Sequence, residues 1–417
     1  MTATTAQIRF WGVRGSTPTV DQATWRYGGN TPCLELTTPG GTRFILDCGT
    51  GLRMLGNHLA EYNSSTGIDP GYNGSRTKNP PGTSFPNEQE KDDAPIHAHI
   101  LLTHYHWDHI QGIPFFAPLY SPQNKFHFYS FRSKFLGRDS LKQVFQTQMA
   151  HPYFPVNVSA MSAEREFTEI AGGETFQVDD AKISVFWLNH PQGCLGFRFE
   201  TSAGVVAYAT DNEPGDPELD RNLVKLAIGA DIFINDAQYT PEQLAGPRRG
   251  WGHSSWLAGT QVAREAGARN LVLFHHDPDT SDREVDGLLR QSRQHSENVW
   301  AAAEGMAMTL GGAQVDVHLP TTRTGQRRDG NLRAMVTGYT SDGRAFQEET
   351  VIRDLTVQGA MLYLSHSPRL QSELQVEMGD PGKETPAEHP MKLRGYVVKL
   401  EPGPQTEQTA VGVVFTE

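Results

Sequence analysis

Short apolar runs, most of which end in polar or charged residues, recur along the first 310 residues of the chain. The first three are IRFWGV, CLELTT and RFILDCGTG, which are separated by glycine turns and predict strands. The run IHAHILL leads into a histidine cluster and a helix start, and the later runs are FHFYSF, ISVFWLNH, LGFRFET, VVAYATD, DIFINDAQY and NLVLFHHDP. The segment SSWLAGTQVAREAGA has a helical period. Strands punctuated by helices, with reactive side chains at strand ends, predict an α/β layered sandwich.

The pattern changes near residue 319. The polar segment LPTTRTGQRRDGN has the character of a linker, and the short β-like runs that follow it are LRAMVTGYT, FQEETVIRDL, GAMLYLS, ELQVEMG, LRGYVVKL and AVGVVFTE. We therefore predict an α/β domain over 1–318 and a small all-β barrel or sandwich over 319–417. Residues 62–95 have no periodicity and predict either disorder or a loop over a site.

The charge balance limits the partners of the chain. Its 417 residues carry 36 basic and 48 acidic side chains, which gives a formal net charge of −12. Non-specific duplex binding depends on many lysine and arginine contacts to phosphate, so this composition argues against it. A focused site for one phosphate group is compatible with the charge if metal ions supply the positive field.

Cellular location is indicated by what the sequence lacks. No apolar run approaches the ~18 residues of a transmembrane helix, and the N-terminus has neither the basic nor the apolar region of a secretory signal. Cys33, Cys48 and Cys194 are too few for a disulfide framework and fit a reducing compartment. We expect a cytoplasmic protein with no membrane partner.

The strongest chemical signal is the segment T-H-Y-H-W-D-H at residues 103–109. His104 and His106 alternate at the end of a strand-like run, so both imidazoles can face one point. Asp108 and His109 follow where a turn into a helix could direct them to a second point nearby. Imidazole and carboxylate are natural ligands of zinc and related divalent ions. The segment therefore predicts a metal site.

This motif, H-x-H-x-D-H, resembles the signature of the metallo-β-lactamase superfamily, and the resemblance extends along the first 310 or so residues. It implies an αββα sandwich with a dinuclear metal centre. The segments LNHPQG, AYATDNEP and NLVLFHHDP resemble those that carry the later ligands, here His190, Asp211 and His275, with His276 as the alternative to His275. The implied ligands of the first metal are His104, His106 and His190. Those of the second are Asp108, His109 and His275, and Asp211 is shared.

The resemblance also implies the cofactors and the chemistry. We expect two divalent metal ions, zinc first, with manganese or iron as alternatives. Two cations that share a water lower its pKa and present hydroxide to an electrophile, and Asp108 is predicted to be both a ligand and a catalytic residue. The true β-lactamases commonly use a cysteine in the second site. No cysteine aligns there in this chain, so antibiotic hydrolysis is disfavoured.

Two further segments point to a subclass. INDAQY and GHSSW resemble the segments that follow the bridging aspartate in ribonuclease Z and its phosphodiesterase relatives, where an acidic residue pairs with a histidine outside the metal shell. Here these would be Asp236 and His253, and such a histidine can protonate a leaving alkoxide. Asp47, in LDCGTG, resembles the superfamily's buried aspartate beside the metal loop. The alternatives are a surface histidine and an ordinary turn aspartate.

The expected substrate is a small phosphodiester or nucleotide. A tRNA 3′-end endonuclease, as in ribonuclease Z, is the alternative within the enzymes, so a nucleic-acid partner stays open. The ribonucleases often carry a long basic arm for tRNA. The segment 62–95 has Arg76, Lys78 and Lys91 but also several acidic residues, and it lacks that character.

The C-terminal segment resembles a PilZ domain. Arg323 and Arg327 have the spacing R-x-x-x-R, and D-L-T-V-Q-G places Asp354, Thr356 and Gly359 in the second motif, with threonine for serine. The resemblance implies a cyclic diguanylate ligand, whose phosphates and guanines suit guanidinium groups. The alternatives are a generic β domain with a basic linker, and a signalling effector whose output is ligand-dependent contact with a partner. A homodimer also stays open.

Overall fold

A computed structural model of the chain describes residues 5–62, 95–311, 314–320, 328–355, 359–378, 391–404 and 408–416. Nearly all of the predicted insert at 62–95 lies outside the described residues. The described residues divide into two compact units, the first ending at Val317 and the second beginning at His318.

The first unit contains two sheets. Its strands are β1 Ala6–Gly12, β2 Cys33–Thr37, β3 Arg43–Leu46, β4 His97–Leu101, β5 Lys125–Ser130, β6 Glu164–Glu169, β7 Thr175–Val178, β8 Ala181–Leu188, β9 Cys194–Thr201, β10 Gly204–Ala209, β11 Ile232–Asp236, β12 Leu271–Phe274, β13 Val299–Ala301, β14 Ala307–Gly311 and β15 Gln314–His318. One sheet has the order β15-β14-β1-β2-β3-β4-β5-β6, and the other has the order β13-β12-β11-β10-β9-β8-β7.

The two sheets face each other with helices outside. The rings of Phe44 on β3 and Phe199 on β9 meet across the interface, 5.2 Å between centroids. The helices are α1 Gly51–Tyr62, α2 Trp107–Ile110, α3 Ser140–Gln148, α4 Pro217–Ala227, α5 Pro241–Ala245, α6 Trp256–Ala266 and α7 Asp282–Arg293. Helices α1 and α3 cover the first sheet, while α4, α6 and α7 cover the second. The predicted α/β layered sandwich is confirmed.

Local sequence sets where the helices begin. Asp216 caps the start of α4, and Ser255 caps α6 by accepting a hydrogen bond from Ala258 N. Helix α7 begins with a capping box in which Ser281 and Glu284 satisfy each other's backbone amides. Of these three, only α6 was predicted from its period, because the first turns of α4 and α7 are strongly polar.

Strand direction brings the reactive loops to one edge of the sandwich. Strands β3, β4 and β5 are parallel, and so are β10, β11 and β12. Their carboxyl ends therefore lie at the same edge of each sheet, which is where ligands bind in parallel α/β sheets. The loops that leave these ends carry the histidines and aspartates singled out in the sequence.

The second unit is a closed six-stranded barrel with the order β16-β17-β18-β21-β20-β19. Its strands are β16 Arg328–Tyr339, β17 Ala345–Leu355, β18 Gly359–Leu364, β19 Glu373–Met378, β20 Met391–Pro402 and β21 Thr409–Phe415. Val336, Ile352 and Val376 are among the fully buried side chains of its core. The prediction of an all-β C-terminal region is confirmed, and its likeness to a PilZ domain stays a prediction.

Candidate metal centre

The histidine cluster follows β4 and enters α2. His106 is the N-cap residue of this short helix, and Asp108 and His109 lie in its single turn. The loop after β8 supplies His190, the loop after β10 supplies Asp211, and the residue after β12 is His275. The structure thus brings all seven predicted metal ligands to the same edge of the sandwich.

Four of these side chains form a compact set of donors. The ligand atoms of the set are His109 Nε2, His275 Nε2, Asp108 Oδ2 and Asp211 Oδ1, and neighbouring atoms lie 3.2–3.3 Å apart. A tetrahedral ion with bonds of about 2.0–2.1 Å holds its ligands about 3.4 Å apart. The spacing therefore fits a bound divalent ion.

A second set lies on the other side of Asp211. His106 Nδ1 and His190 Nε2 are 3.0 Å apart, and Asp211 Oδ2 lies 3.6 Å from His104 Nε2 and 3.8 Å from His190 Nε2. His104 Nε2 is buried and has no hydrogen-bond partner among the described residues, as expected of a nitrogen that binds a metal. The two oxygens of Asp211 face the two sets, so this carboxylate can bridge two ions.

The opposite ring nitrogen of each candidate ligand is held by an oxygen. The five contacts are His104 Nδ1 with Thr103 Oγ1 (3.0 Å), His106 Nε2 with Gln192 Oε1 (3.0 Å), His109 Nδ1 with Asp47 Oδ2 (2.9 Å), His190 Nδ1 with the carbonyl of Gly252 (2.7 Å) and His275 Nδ1 with Gln238 Oε1 (2.8 Å). In four of these contacts the ring nitrogen can donate a hydrogen bond to the oxygen, which leaves the other nitrogen free to coordinate. The contact of His109 with Asp47 has the distance of a hydrogen bond but not its geometry.

Two of these orienting residues, Gln192 and Gln238, were not identified from the sequence. Each lies two positions after a residue that was identified, His190 or Asp236. Gln238 is also held next to Asp236, because its backbone amide donates a hydrogen bond to Asp236 Oδ1 at 2.9 Å. The spacing of two positions was the only sequence feature that marked either glutamine, and a spacing alone does not indicate that a side chain orients a metal ligand.

Asp47 joins the two sheets beneath the centre. Its carboxylate contacts His109 and accepts hydrogen bonds from the amide and hydroxyl of Thr103 and from the hydroxyl of Tyr208. Thr103 follows the first sheet's β4, whereas Tyr208 lies on β10 of the second sheet. The side chain is fully buried.

The structure separates the two adjacent histidines after β12. His275 Nε2 faces the centre, whereas His276 Nε2 lies 2.9 Å from the carbonyl oxygen of Ala302. Burial, with a contribution from Arg14, lowers the pKa of His276 to about 3, so this ring is neutral. The geometry therefore favours His275 over His276 as the ligand.

The backbone is strained at this edge. Asp47, Asp211, His275 and Ser16 all have φ between 48° and 60°, which costs a non-glycine residue energy and is typical of functional sites. Gly15 is required by close packing, because a Cβ there would lie 2.4 Å from the ring of His275. The amide of Ser16 donates to Asp108 Oδ2 at 2.7 Å, so this loop positions a candidate ligand.

His253 and Asp236 form a pair beside the centre. His253 Nδ1 lies 2.8 Å from Asp236 Oδ2, and the His253 ring stacks on that of His275 with 5.0 Å between centroids. Burial opposes the charged imidazolium, but the carboxylates of Asp236 and Asp211 outweigh burial and raise the pKa of His253 to about 9. With Nδ1 engaged, Nε2 is the atom that can exchange a proton with a substrate.

The predicted cyclic diguanylate site is largely outside the described residues. Arg323, Arg327 and Thr356 are not described, and Asp354 is described only through its backbone, which pairs with Met361 on β18. Gly359 begins β18, and a Cβ there would lie 2.2 Å from the carbonyl oxygen of Val413. Close strand pairing therefore accounts for this glycine without a ligand.

Comparison with known proteins identifies the family. A family model described as "Beta-lactamase superfamily domain" matches residues 42–276, more than half of the chain. The chain therefore belongs to the beta-lactamase superfamily. The predicted metallo-β-lactamase-type hydrolase is confirmed, since its homologues are hydrolases of this superfamily.

Individual relatives are distant. The chain is 22% identical over 255 residues to ribonuclease BN of Proteus mirabilis, covering 49% of this chain and 79% of that protein. It is 25% identical over 224 residues to ribonuclease Z of Limosilactobacillus fermentum, covering 42% and 68%. The metallo-beta-lactamase fold protein YhfI from Bacillus subtilis superposes with a TM-score of 0.50 at 17% identity, covering 73% of this chain and 99% of that one. This last likeness concerns the fold alone.

Membrane-spanning helices were also sought. Within the described ranges, each helix is too short or too polar to cross a bilayer.

We expect purified protein to contain about two divalent ions per chain, because the seven predicted ligands form two of the three donor clusters that share Asp211. Elemental analysis should show a sharp loss in His106→Ala and Asp211→Ala. The control is His97→Ala, which removes an exposed histidine at the opposite end of β4 and should retain both ions. Folded, metal-free protein that takes up no ion on titration with zinc, manganese or iron would contradict the assignment.

Proposed function

We propose that the chain is a dinuclear metal-dependent phosphodiesterase that acts on a small nucleotide or another small phosphodiester. The observation that carries this proposal is the bridging position of Asp211 beside the His253–Asp236 pair. The two oxygens of Asp211 face separate donor sets, and His253 Nδ1 lies 3.8 Å from Asp211 Oδ2. A proton donor thus stands directly beside the predicted cations.

Two bound divalent cations would supply Lewis acidity and a nucleophilic water of lowered pKa. The rest of the chemistry falls to the chain. The carboxylate of Asp236 raises the pKa of His253 and so favours the protonated ring. Its Nε2–H can therefore donate the proton that the leaving oxygen requires when the ester bond breaks. Asp236 keeps the ring oriented throughout, since its carboxylate is fully buried and hydrogen-bonded to Nδ1.

Arg248 supports an anionic substrate. Its guanidinium lies 4.5 Å from the ring centroid of Trp251 and 5.7 Å from that of Tyr239, and the Tyr239 ring contacts His253 at 5.7 Å. In the part of the chain that the structure describes, no carboxylate lies within ion-pair distance of Arg248. Arg248 interacts with Asp277 only at longer range. A guanidinium that is held by aromatic rings and makes no close ion pair among the described residues is suited to a phosphate oxygen.

The candidate ligands also bear on which metal the site can hold. All seven candidate ligands are imidazoles and carboxylates, and Cys48 and Cys194 are buried thiols outside both sets. Such donors accept zinc, manganese and iron alike.

The second candidate function is cleavage of RNA at a tRNA 3′ end, which is favoured by the names of the ribonuclease BN and ribonuclease Z relatives. The net charge of −12 favours the small diester.

A panel assay separates these functions. The metal-loaded full chain is tested against cyclic nucleotides, a chromogenic phosphodiester, a thioester, a lactone and precursor tRNA. We expect turnover of small diesters, with negligible cleavage of precursor tRNA. Efficient processing of precursor tRNA would establish the ribonuclease instead. Hydrolysis confined to the thioester or the lactone would overturn the phosphodiesterase proposal.

We expect His253→Ala to retain its metal and to lose about 10²–10⁴ in turnover, since it removes the proton donor but none of the seven predicted ligands. The loss should be smaller for a diester with a nitrophenolate leaving group, which needs no proton. Steady-state kinetics and elemental analysis provide the two readouts, with His97→Ala as the control. An equal loss on every diester would point to phosphate binding, and unchanged rates would exclude His253 from the mechanism.

We further propose that cyclic diguanylate regulates the enzyme through residues 319–417. The support is the R-x-x-x-R and D-x-T-x-x-G spacing together with the closed barrel of the second unit. Arg323 and Arg327 would contact the phosphates and guanines, with Asp354, Thr356 and Gly359 completing the pocket. A signalling effector that contacts a partner only when the dinucleotide is bound is the alternative output.

Calorimetry on the full chain should detect cyclic diguanylate binding. We expect Arg323→Lys and Arg327→Lys to weaken it by about tenfold or more, because a point charge cannot replace the guanidinium fork. Arg344→Lys is the control, since Arg344 is exposed and pairs with Asp342 at a hairpin turn. Absence of heat at high micromolar ligand, with the barrel folded, would reject the ligand and leave a partner-binding module.

A further inference from the structure

A cavity of about 210 Å³ opens beside the second donor set, which contains His104, His106 and His190. His104 and His106 form part of its wall, so the cavity is continuous with the predicted metal centre. Its remaining lining residues are Tyr105, Phe131, Ser133, Phe135, Leu136, Gln192 and Gly193. None of these seven was assigned a role from the sequence, and the chemistry proposed above uses only Gln192, as the partner of His106.

The wall of the cavity is rigid and aromatic. Phe131 is 4% exposed, and its ring is held between Tyr105, at 5.1 Å, and Trp187, at 5.2 Å. The hydroxyl of Tyr105 donates to the carbonyl oxygen of Phe131, which ties the two residues together. Gly193, with φ of 98°, has a backbone conformation that favours glycine, and it packs against the rings of Phe131 and Trp187. Such a surface is preformed rather than assembled by a ligand.

One aromatic residue of the lining is accessible to solvent. Phe135 is 66% exposed although it lines the cavity, and the ammonium of Lys134 lies 5.1 Å from its ring centroid. An exposed phenyl ring at the mouth of a concave site gains apolar contact only when a ligand covers it. Aromatic rings in the lining of a cavity favour a flat, unsaturated ligand.

Polar groups in the wall suit a heteroaromatic ring. Gln192 Oε1 is engaged by His106, which leaves the Nε2 amide hydrogens of Gln192 as donors. Ser133 Oγ accepts from the amide of Phe135 at 3.2 Å and retains its own proton to donate. Ring nitrogens and carbonyl oxygens of a nucleobase can accept from both groups.

The volume limits the ligand to one ring system. A cavity of ~150 Å³ binds benzene, so a space somewhat larger than that accommodates a single mono- or bicyclic base. A polynucleotide segment with several stacked bases does not fit in it.

We propose that this cavity is the base-specificity pocket of the enzyme, which holds one nucleobase of a nucleotide substrate while the adjacent phosphate lies at the metal centre. The proposal rests on the phosphodiesterase function and narrows its substrate class to nucleotides. Phe135 supplies the exposed stacking face, the buried ring of Phe131 forms part of the apolar wall, and Ser133 and Gln192 supply the hydrogen-bond donors. Phe135 is a specificity-determining residue here, with no part in the chemical step.

The test compares two ligands that differ only by the base. Binding of adenosine 5′-monophosphate and of ribose 5-phosphate to the zinc-loaded full chain is measured by calorimetry. We expect the wild type to bind the base-containing ligand about tenfold more tightly, given the energy of stacking a base on an aromatic side chain. Phe135→Ala should bring this ratio close to one while ribose 5-phosphate binding is unchanged. Phe115→Ala, which removes another exposed phenylalanine outside the cavity, should keep the ratio.

The outcomes distinguish the pocket from the chemistry. Equal binding of the two ligands by the wild type, no binding of the nucleotide, or an unchanged ratio in Phe135→Ala would overturn the pocket. Hydrolysis of bis(p-nitrophenyl) phosphate is measured on the same preparation. A protein that shows base selectivity without diester hydrolysis would retain the pocket and refute the phosphodiesterase. A protein that hydrolyses the diester without base selectivity would retain the phosphodiesterase and refute the pocket.

Discussion

The carboxylate of Asp211 is the constraint on which the site depends. It is buried, it occupies a left-handed backbone conformation, and histidines surround both of its oxygens. Burial favours protonation, but His275, His109 and His104 outweigh it and hold the pKa of Asp211 well below its usual value. A negative charge is therefore fixed between the two donor sets. The surrounding loops hold this charge and the neighbouring histidines in fixed positions relative to each other.

Much of this candidate centre was predictable because four of its ligands lie close together in the sequence. His104, His106, Asp108 and His109 lie within six positions, and that density of ligand types has few structural explanations. The later ligands His190, Asp211 and His275 are isolated in the sequence and became identifiable only through a family resemblance. The strands were predictable for a similar reason, since each is a compact apolar run.

The unpredicted features depend on distant parts of the chain. Gln192 and Gln238 orient histidines that are 86 and 37 positions away, so no local pattern marks them. The polar helix α7 is stabilised by its capping box and by Val285 and Leu289, whose burial depends on the adjacent sheet. The base pocket combines residues from three separate loops. Such juxtapositions follow from topology, which the order of residues alone does not reveal.

The two donor sets draw on both layers of the sandwich. His104, His106, Asp108 and His109 follow β4 of the first sheet, whereas His190, Asp211 and His275 follow β8, β10 and β12 of the second. Each candidate ion would therefore be held from both layers at once, as Asp47 already is through Thr103 and Tyr208. Because metal-binding free energy adds to folding free energy, loading the ions would clamp the layers against mutual sliding. An ion would gain its full set of ligands only after both halves of the chain have docked, so the complete centre depends on the folding of the whole first unit.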